Sequence, residues 1–178
     1  METELRPAVN WPARYLPGTT DNFVSNEVIV TGLTAGQVWP QLINTDRWPS
    51  YYEHITGISF PDGDGPELWQ GTRFNFSAFG YPPTHTTVTE AVAPSPEGPG
   101  RLTFAGPLNH NGELVIDIAH AFLIEDLPGG RLRLLTQESE LGPAAKELAT
   151  QRPSPLVNAH LEWLDGLVRV SRGLGAAS

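Results

Sequence analysis

The stretch Ser154-Pro-Leu-Val-Asn-Ala-His160-Leu-Glu-Trp-Leu164-Asp-Gly-Leu-Val-Arg169-Val-Ser-Arg-Gly173 decides the fold. Ser154 is a helix-capping residue, and Pro155 stands at the first helical position, where its missing N–H is no loss. Leu156, Val157, His160, Leu161, Leu164, Leu167 and Val168 recur with a period of about 3.6 residues, which marks a helix with one apolar face. Arg169 and Arg172 suit the negative end of the helix dipole, and Gly173 stops the run. A broken lead-in turn is expected over residues 144–150. Such a face must be buried against another layer.

That layer lies upstream. Six strand-like segments, about 56–60, 72–77, 84–92, 101–105, 114–125 and 131–141, succeed one another with only turns between them. The turns include Pro61-Asp-Gly-Asp-Gly65, Gly80-Tyr-Pro-Pro83, Pro107-Leu-Asn-His-Asn-Gly112 and Leu127-Pro-Gly-Gly130. Parallel pairing would need long crossovers, so the segments form an antiparallel meander. Before them come a β-branched strand over 22–30 and the capping box Thr34-Ala-Gly-Gln37. The box opens a helix with Val38, Trp39, Leu42 and Ile43 on one face and Pro40 within its first two turns. A second helical segment runs from Thr45 to Tyr52. The order β-α-α-β-β-β-β-β-β-α predicts an α+β fold, a seven-stranded curved antiparallel sheet around the C-terminal helix. One helix cannot cover so much sheet, so either aromatic side chains fill the remainder or a cavity stays open.

Composition narrows the partners. A chain of 178 residues suits one domain, expected here at residues 22–173, with a Pro-rich arm at 1–21 and a tail at 174–178. The arm carries Pro7, Pro12 and Pro17; it lies over the body, over a partner subunit, or loose, which leaves a homodimer open. Eleven Lys+Arg against 20 Asp+Glu give a net charge of −9. That balance argues against nucleic acid and against an anionic membrane surface. The absence of cysteine excludes disulfides, thiolate catalysis and Cys-ligated zinc. With no secretory signal at the N-terminus and no apolar run near the roughly 20 residues of a membrane span, a cytoplasmic location is expected. No Gly-rich phosphate loop, HExxH or i,i+4 histidine pair occurs, so no cofactor and no metal are expected.

Several phrases, taken in order, resemble one superfamily: Gly36-Gln-Val-Trp-Pro40, Asp46-Arg-Trp-Pro49, Gly71-Thr-Arg-Phe74, Val88-Thr-Glu90 with Pro94, His120-Ala-Phe122, Gly129-Gly130, Glu138 to Gly142, and His160-Leu-Glu-Trp-Leu164. Over about residues 22–173 they are similar to the START-like, helix-grip (SRPBCC) superfamily, in its polyketide cyclase/dehydrase-like branch. The resemblance implies a helix-grip fold around a pocket for a hydrophobic small molecule. It implies fold more narrowly than function, because aromatase/cyclases, lipid carriers, hormone receptors and chaperone co-activators share that architecture.

Strand alternation predicts which side chains line the pocket. In 114–125, Leu114, Ile116, Ile118, His120, Phe122 and Ile124 form the apolar face and are expected to point inward. A tight turn at 127–130 that pairs Asp126 with Arg131 sets His120 opposite Gln137 and Phe122 opposite Leu135. Leu135, Gln137 and Ser139 then face in and Glu138 faces out, a parity that one bulged residue would reverse. On 84–92, either His85, Thr87 and Thr89 or Thr86, Val88 and Glu90 face in; the resemblance to aromatase/cyclases favours the first set. Those relatives carry an inward arginine where this chain has Thr87. His160 lies one turn from Leu156 and from Leu164 and faces the sheet.

The expected catalytic groups are thus His85, His120 and His160, because imidazole titrates near neutrality and suits proton transfer to an enolising ketone or a leaving hydroxyl. The expected substrate-binding residues are Trp48, Tyr52, Phe74, Phe76, Thr87, Phe104, Phe122, Leu135, Gln137, Ser139 and Leu164. Segments 78–83 and 106–112 correspond to the gate and latch loops that the resemblance implies. The leading expectation is a cofactor-independent enzyme of polyketide cyclase/dehydratase type that folds a hydrophobic biosynthetic intermediate inside the cavity. A non-catalytic carrier or sensor of a hydrophobic small molecule is the alternative.

Overall fold

The computed structural model describes residues 5–173; the tail expected at 174–178 and the first four residues of the arm lie outside the described residues. β1 (Asn22–Thr31) leads through a full capping box at Thr34 and Gln37 into α1 (Ala35–Ile43), then a 3₁₀ turn at Thr45–Ser50. β2 (Ile55–Ser59), β3 (Arg73–Ala78), β4 (Thr84–Val92), β5 (Gly100–His110), β6 (Glu113–Leu127) and β7 (Arg131–Leu141) follow. α2 (Pro143–Leu148) and α3 (Pro155–Ser171) close the order. The seven strands form one antiparallel sheet in the order β1-β7-β6-β5-β4-β3-β2, so only β1 leaves the meander, pairing with β7. Register shifts at Val88/Glu90 and Leu108/Asn109 are bulges, which bend a sheet locally and help it curl around α3. The α+β, seven-stranded, helix-grip architecture stands as the sequence predicts.

Segment 106–112, expected as a loop, is mostly strand: β5 runs on to His110 and turns at Asn111 and Gly112, both with positive φ. Aromatic packing fills one end of the grip. Trp48 is fully buried, donates its indole N–H to the Leu42 carbonyl at 2.9 Å, and lies 5.0 Å from Trp163 and 6.1 Å from Phe74, ring centre to ring centre. α3 comes close because Gly166 has no side chain; a Cβ there would sit 2.4 Å from the Tyr51 carbonyl oxygen.

The face of the sheet away from α3 is not bare. Residues 5–21 run across it, and Tyr15 is buried there with its hydroxyl donating to Asp117 at 2.6 Å. Arg14 donates to the other oxygen of Asp117 at 2.7 Å, and Arg133 donates to the Pro7 carbonyl at 2.9 Å. Trp11 meets Phe23 edge to face with centroids 6.1 Å apart. These contacts join the described part of the arm to β1, β6 and β7, and outward-facing residues of β6 and β7 such as Asp117 and Ser139 are buried.

Candidate functional site

The last hairpin sets the site. Leu127 pairs with Arg131, so the loop has three residues, Pro128 to Gly130, instead of the expected four. Gly129 and Gly130 hold φ of 81° and 67°, which lets so short a loop close. Every pair is therefore shifted by one residue from the predicted register. His120 lies opposite Glu138, and Phe122 opposite Thr136. Directly opposed residues share a face, so Thr136, Glu138 and Glu140 point toward α3 while Leu135, Gln137 and Ser139 point away. Ser139 is buried, but beneath the arm, where its hydroxyl meets that of Thr20 at 2.8 Å. Gln137 donates to Ser25 at 3.0 Å on the outer side, and Leu135 is buried on the same face.

β4 also turns opposite to the expectation. Phe74 pairs with Thr86 and Phe76 with Thr84; because both phenylalanines are buried against the core, Thr84 and Thr86 must face in. His85 and Thr87 are exposed on the outer face, His85 hydrogen-bonding the Asn75 side-chain oxygen at 2.8 Å. Neither reaches the interior.

A cavity of about 340 Å³ remains between the first half of α3, α2, the inner faces of β5, β6 and β7, and the 78–83 turn. Of the expected site residues, Tyr52, Phe76, His120 and His160 line it. Trp48, Phe74, Phe104, Phe122 and Leu164 do not; they are solid core, because α1 and the 3₁₀ turn fill that part of the grip with rings. Phe79 and Tyr81, both largely exposed, stand at its rim together with Ala78 and Thr84.

At the inner wall His120 and His160 converge on one carboxyl group. Oε2 of Glu138 lies 3.2 Å from Nδ1 of His120 and 3.1 Å from Nε2 of His160. The two imidazoles stack at 4.5 Å, and Trp163 packs its edge against His120 at 5.2 Å. All three polar residues are buried. Nε2 of His120 meets the Thr136 hydroxyl at 2.8 Å, and that hydroxyl donates to the Ala121 carbonyl at 3.1 Å. Nδ1 of His160 has no hydrogen-bond partner. Glu140 is the next inward carboxyl along β7 and accepts from the Asn22 amide at 2.7 Å.

Burial governs the charges here, since a desolvated group resists ionisation. It holds His120 well below the usual imidazole range, with the neighbouring His160 adding to the effect. His160 is pulled down to about 4 by the same desolvation. Glu138 is pushed up to about 7 by burial. Glu140 is pushed up to about 9, by burial first and by the nearby Glu138 charge second. Both imidazoles are neutral near pH 7, which departs from the titrating histidines that the sequence predicts.

Several cavity residues escape the sequence reading, among them Glu138, Glu140 and Trp163. Glu138 and Glu140 are lost to the one-residue loop difference. Trp163 could have been found, for it lies three residues from His160 on the same helical face.

Among solved structures, the chain is similar to hypothetical protein jhp0584 from Helicobacter pylori, at 39% identity over 96% of this chain and all of that one, with a TM-score of 0.88. The chain belongs to that protein's family. Protein MLL2253 from Mesorhizobium loti shares the fold at 15% identity, over 85% of this chain and 98% of its own, with a TM-score of 0.59. A Thermobifida fusca protein does so at 13% identity, over 88% of this chain and 97% of its own, with a TM-score of 0.59. No family model and no curated protein matches the chain. Among the described residues no helix is long and apolar enough to cross a membrane.

Proposed function

We propose that this protein binds a small, largely apolar molecule in the internal cavity and acts on it there, as an enzyme of polyketide cyclase/dehydratase type within the START-like superfamily. The observation that carries the reading is the cavity itself. It is walled mainly by apolar side chains and ends on one buried polar cluster, the arrangement by which small-molecule sites combine affinity with orientation. A flexible chain confined beside that cluster loses the freedom that makes intramolecular condensation slow. His120, His160 and Glu138 polarise the carbonyl or hydroxyl group brought to the inner wall. His85 and Thr87, on the outer face, take no part.

The neutral fluorophore N-phenyl-1-naphthylamine tests occupancy, because its emission rises in an apolar enclosure. Ile116 lines the cavity and is half-buried, so Ile116→Trp fills the space without disturbing the aromatic core. Saturable binding by the wild type, weakened at least tenfold in Ile116→Trp, supports the reading; equal binding by both proteins rejects it. Assay of poly-β-ketone analogues with the wild type and His160→Ala then separates catalysis from carriage. A ligand bound but never altered leaves the carrier.

A further inference from the structure

We propose that His120, Glu138 and His160 form a three-ligand site for a divalent transition-metal ion, open on its remaining side to the cavity. The inference rests on the cavity being the working site and names the cofactor that would act there.

The geometry comes first. Ligand atoms about 2.0–2.2 Å from one ion are themselves roughly 3.0–3.4 Å apart at right or tetrahedral angles. Oε2 of Glu138 stands 3.2 Å from one imidazole nitrogen and 3.1 Å from the other, and all three donor atoms lie within 4.8 Å of one another. The ligands come from β6, β7 and α3, three elements that the sheet register and the grip of α3 hold in place.

The hydrogen bonds around the cluster point the same way. The Thr136 hydroxyl gives its hydrogen to the Ala121 carbonyl, so it accepts from Nε2 of His120. That fixes the tautomer in which Nδ1 of His120 carries a lone pair aimed at Glu138. A second partner that orients a ligating histidine through its other nitrogen is the usual support of a metal site. Two lone pairs facing each other across 3.2 Å call for a proton on the carboxyl group or a cation between or beside them, and an ion would take both nitrogens and the carboxylate at once. Among the described residues no Lys or Arg lines this cavity, whereas Glu138, Glu140 and Glu147 do.

The donor set defines the class of ion. Two imidazoles and one carboxylate select first-row ions of the zinc or ferrous type over magnesium or calcium, which prefer oxygen alone. Three protein ligands with a free position facing a cavity describe a catalytic arrangement, since closed structural sites use four. An ion there would supply Lewis-acid polarisation of a bound oxygen, which is the role the proposed function assigns to this wall. The sequence offers no metal spacing because its third donor is not a histidine but a carboxylate whose direction depends on the hairpin loop.

The test uses untagged full-length protein stripped with a chelator and dialysed. Titration with Zn²⁺, and with Co²⁺ followed by its visible absorption, should show one ion per chain. Affinity should fall about 100-fold or more in Glu138→Gln and in His160→Ala, with circular dichroism confirming that both remain folded. If one variant does not fold, the other decides. One-to-one binding that survives in the folded variants belongs to another site and overturns the proposal. Binding of N-phenyl-1-naphthylamine without any metal uptake also overturns it and leaves the cavity reading standing; failure of both removes the two together.

Discussion

Glu138 lies opposite His120 across the β6–β7 ladder, and its carboxyl oxygen stands 3.2 Å from Nδ1 of that imidazole and 3.1 Å from Nε2 of His160. A buried carboxyl shared by two neutral rings is a poor device for stability. Desolvating it costs several kcal/mol, and pairing seldom returns the whole. Sites kept for function tend to be of this kind, and relieving them tends to stabilise the fold.

Glu138→Gln should therefore leave the chain as stable as the wild type, or more stable by about 1–2 kcal/mol. The amide has the same shape, and its N–H can donate to the imidazole lone pair that faces it. Urea unfolding in the presence of a chelator checks this. A loss of more than about 2 kcal/mol would make the cluster a structural one.

How far the sequence carried depends on which residues are asked about. α3 is legible because Leu156, His160, Leu164 and Leu167 keep helical spacing between a Ser-Pro start and a glycine stop, and no tertiary contact has to be known. His120 is legible because the alternation of β6 is strong on both sides of it. Glu138 is not, because its face depends on whether the hairpin loop holds three residues or four, and Pro128-Gly-Gly suits either count. The same parity problem places His85 outside: pairing Phe76 with Thr84 would have settled it, but the resemblance to aromatase/cyclases favours the wrong face. Which aromatics line a cavity and which fill the core depends on how α1 and the 3₁₀ turn share the grip with α3, and periodicity does not report that.

His85 should prove dispensable. Its ring is exposed and holds only the Asn75 side chain at 2.8 Å, a surface contact that water replaces. His85→Ala should show the wild-type urea midpoint and unchanged binding of N-phenyl-1-naphthylamine. A clear loss of binding would mean that the outer face of β4 takes part in the site after all.

The arm offers a sharper test of what holds the outer face. Asp117 is buried and accepts from Tyr15 at 2.6 Å and from Arg14 at 2.7 Å. Tyr15→Phe keeps the ring packing and removes one hydrogen bond to a buried carboxylate, a loss of about 1.5–3 kcal/mol. Limited proteolysis should then cut within residues 5–21 sooner than in the wild type. If the arm detached freely, stability would be unchanged and the wild type would be cut equally fast.

Gly166 tests whether the grip of α3 shapes the cavity. In an exposed helix interior, glycine to alanine gains about 1 kcal/mol from propensity alone. Here the new Cβ would lie 2.4 Å from the carbonyl oxygen of Tyr51, which is backbone and cannot rotate away. α3 must shift outward, and overpacking of this kind costs typically 1–3 kcal/mol. His160 and Trp163 ride on the same helix, so the shift pulls them from Glu138 and Tyr52. Gly166→Ala should therefore lower stability despite the better helix former, and weaken binding of N-phenyl-1-naphthylamine at the same time. Gly36→Ala on α1 is the control: its nearest neighbour, the Thr34 hydroxyl, is 3.9 Å from the added carbon, so propensity alone should act and both quantities should hold or improve. If the two variants behave alike in urea and in the binding titration, the close approach of α3 to Tyr51 does not set the width of the cavity.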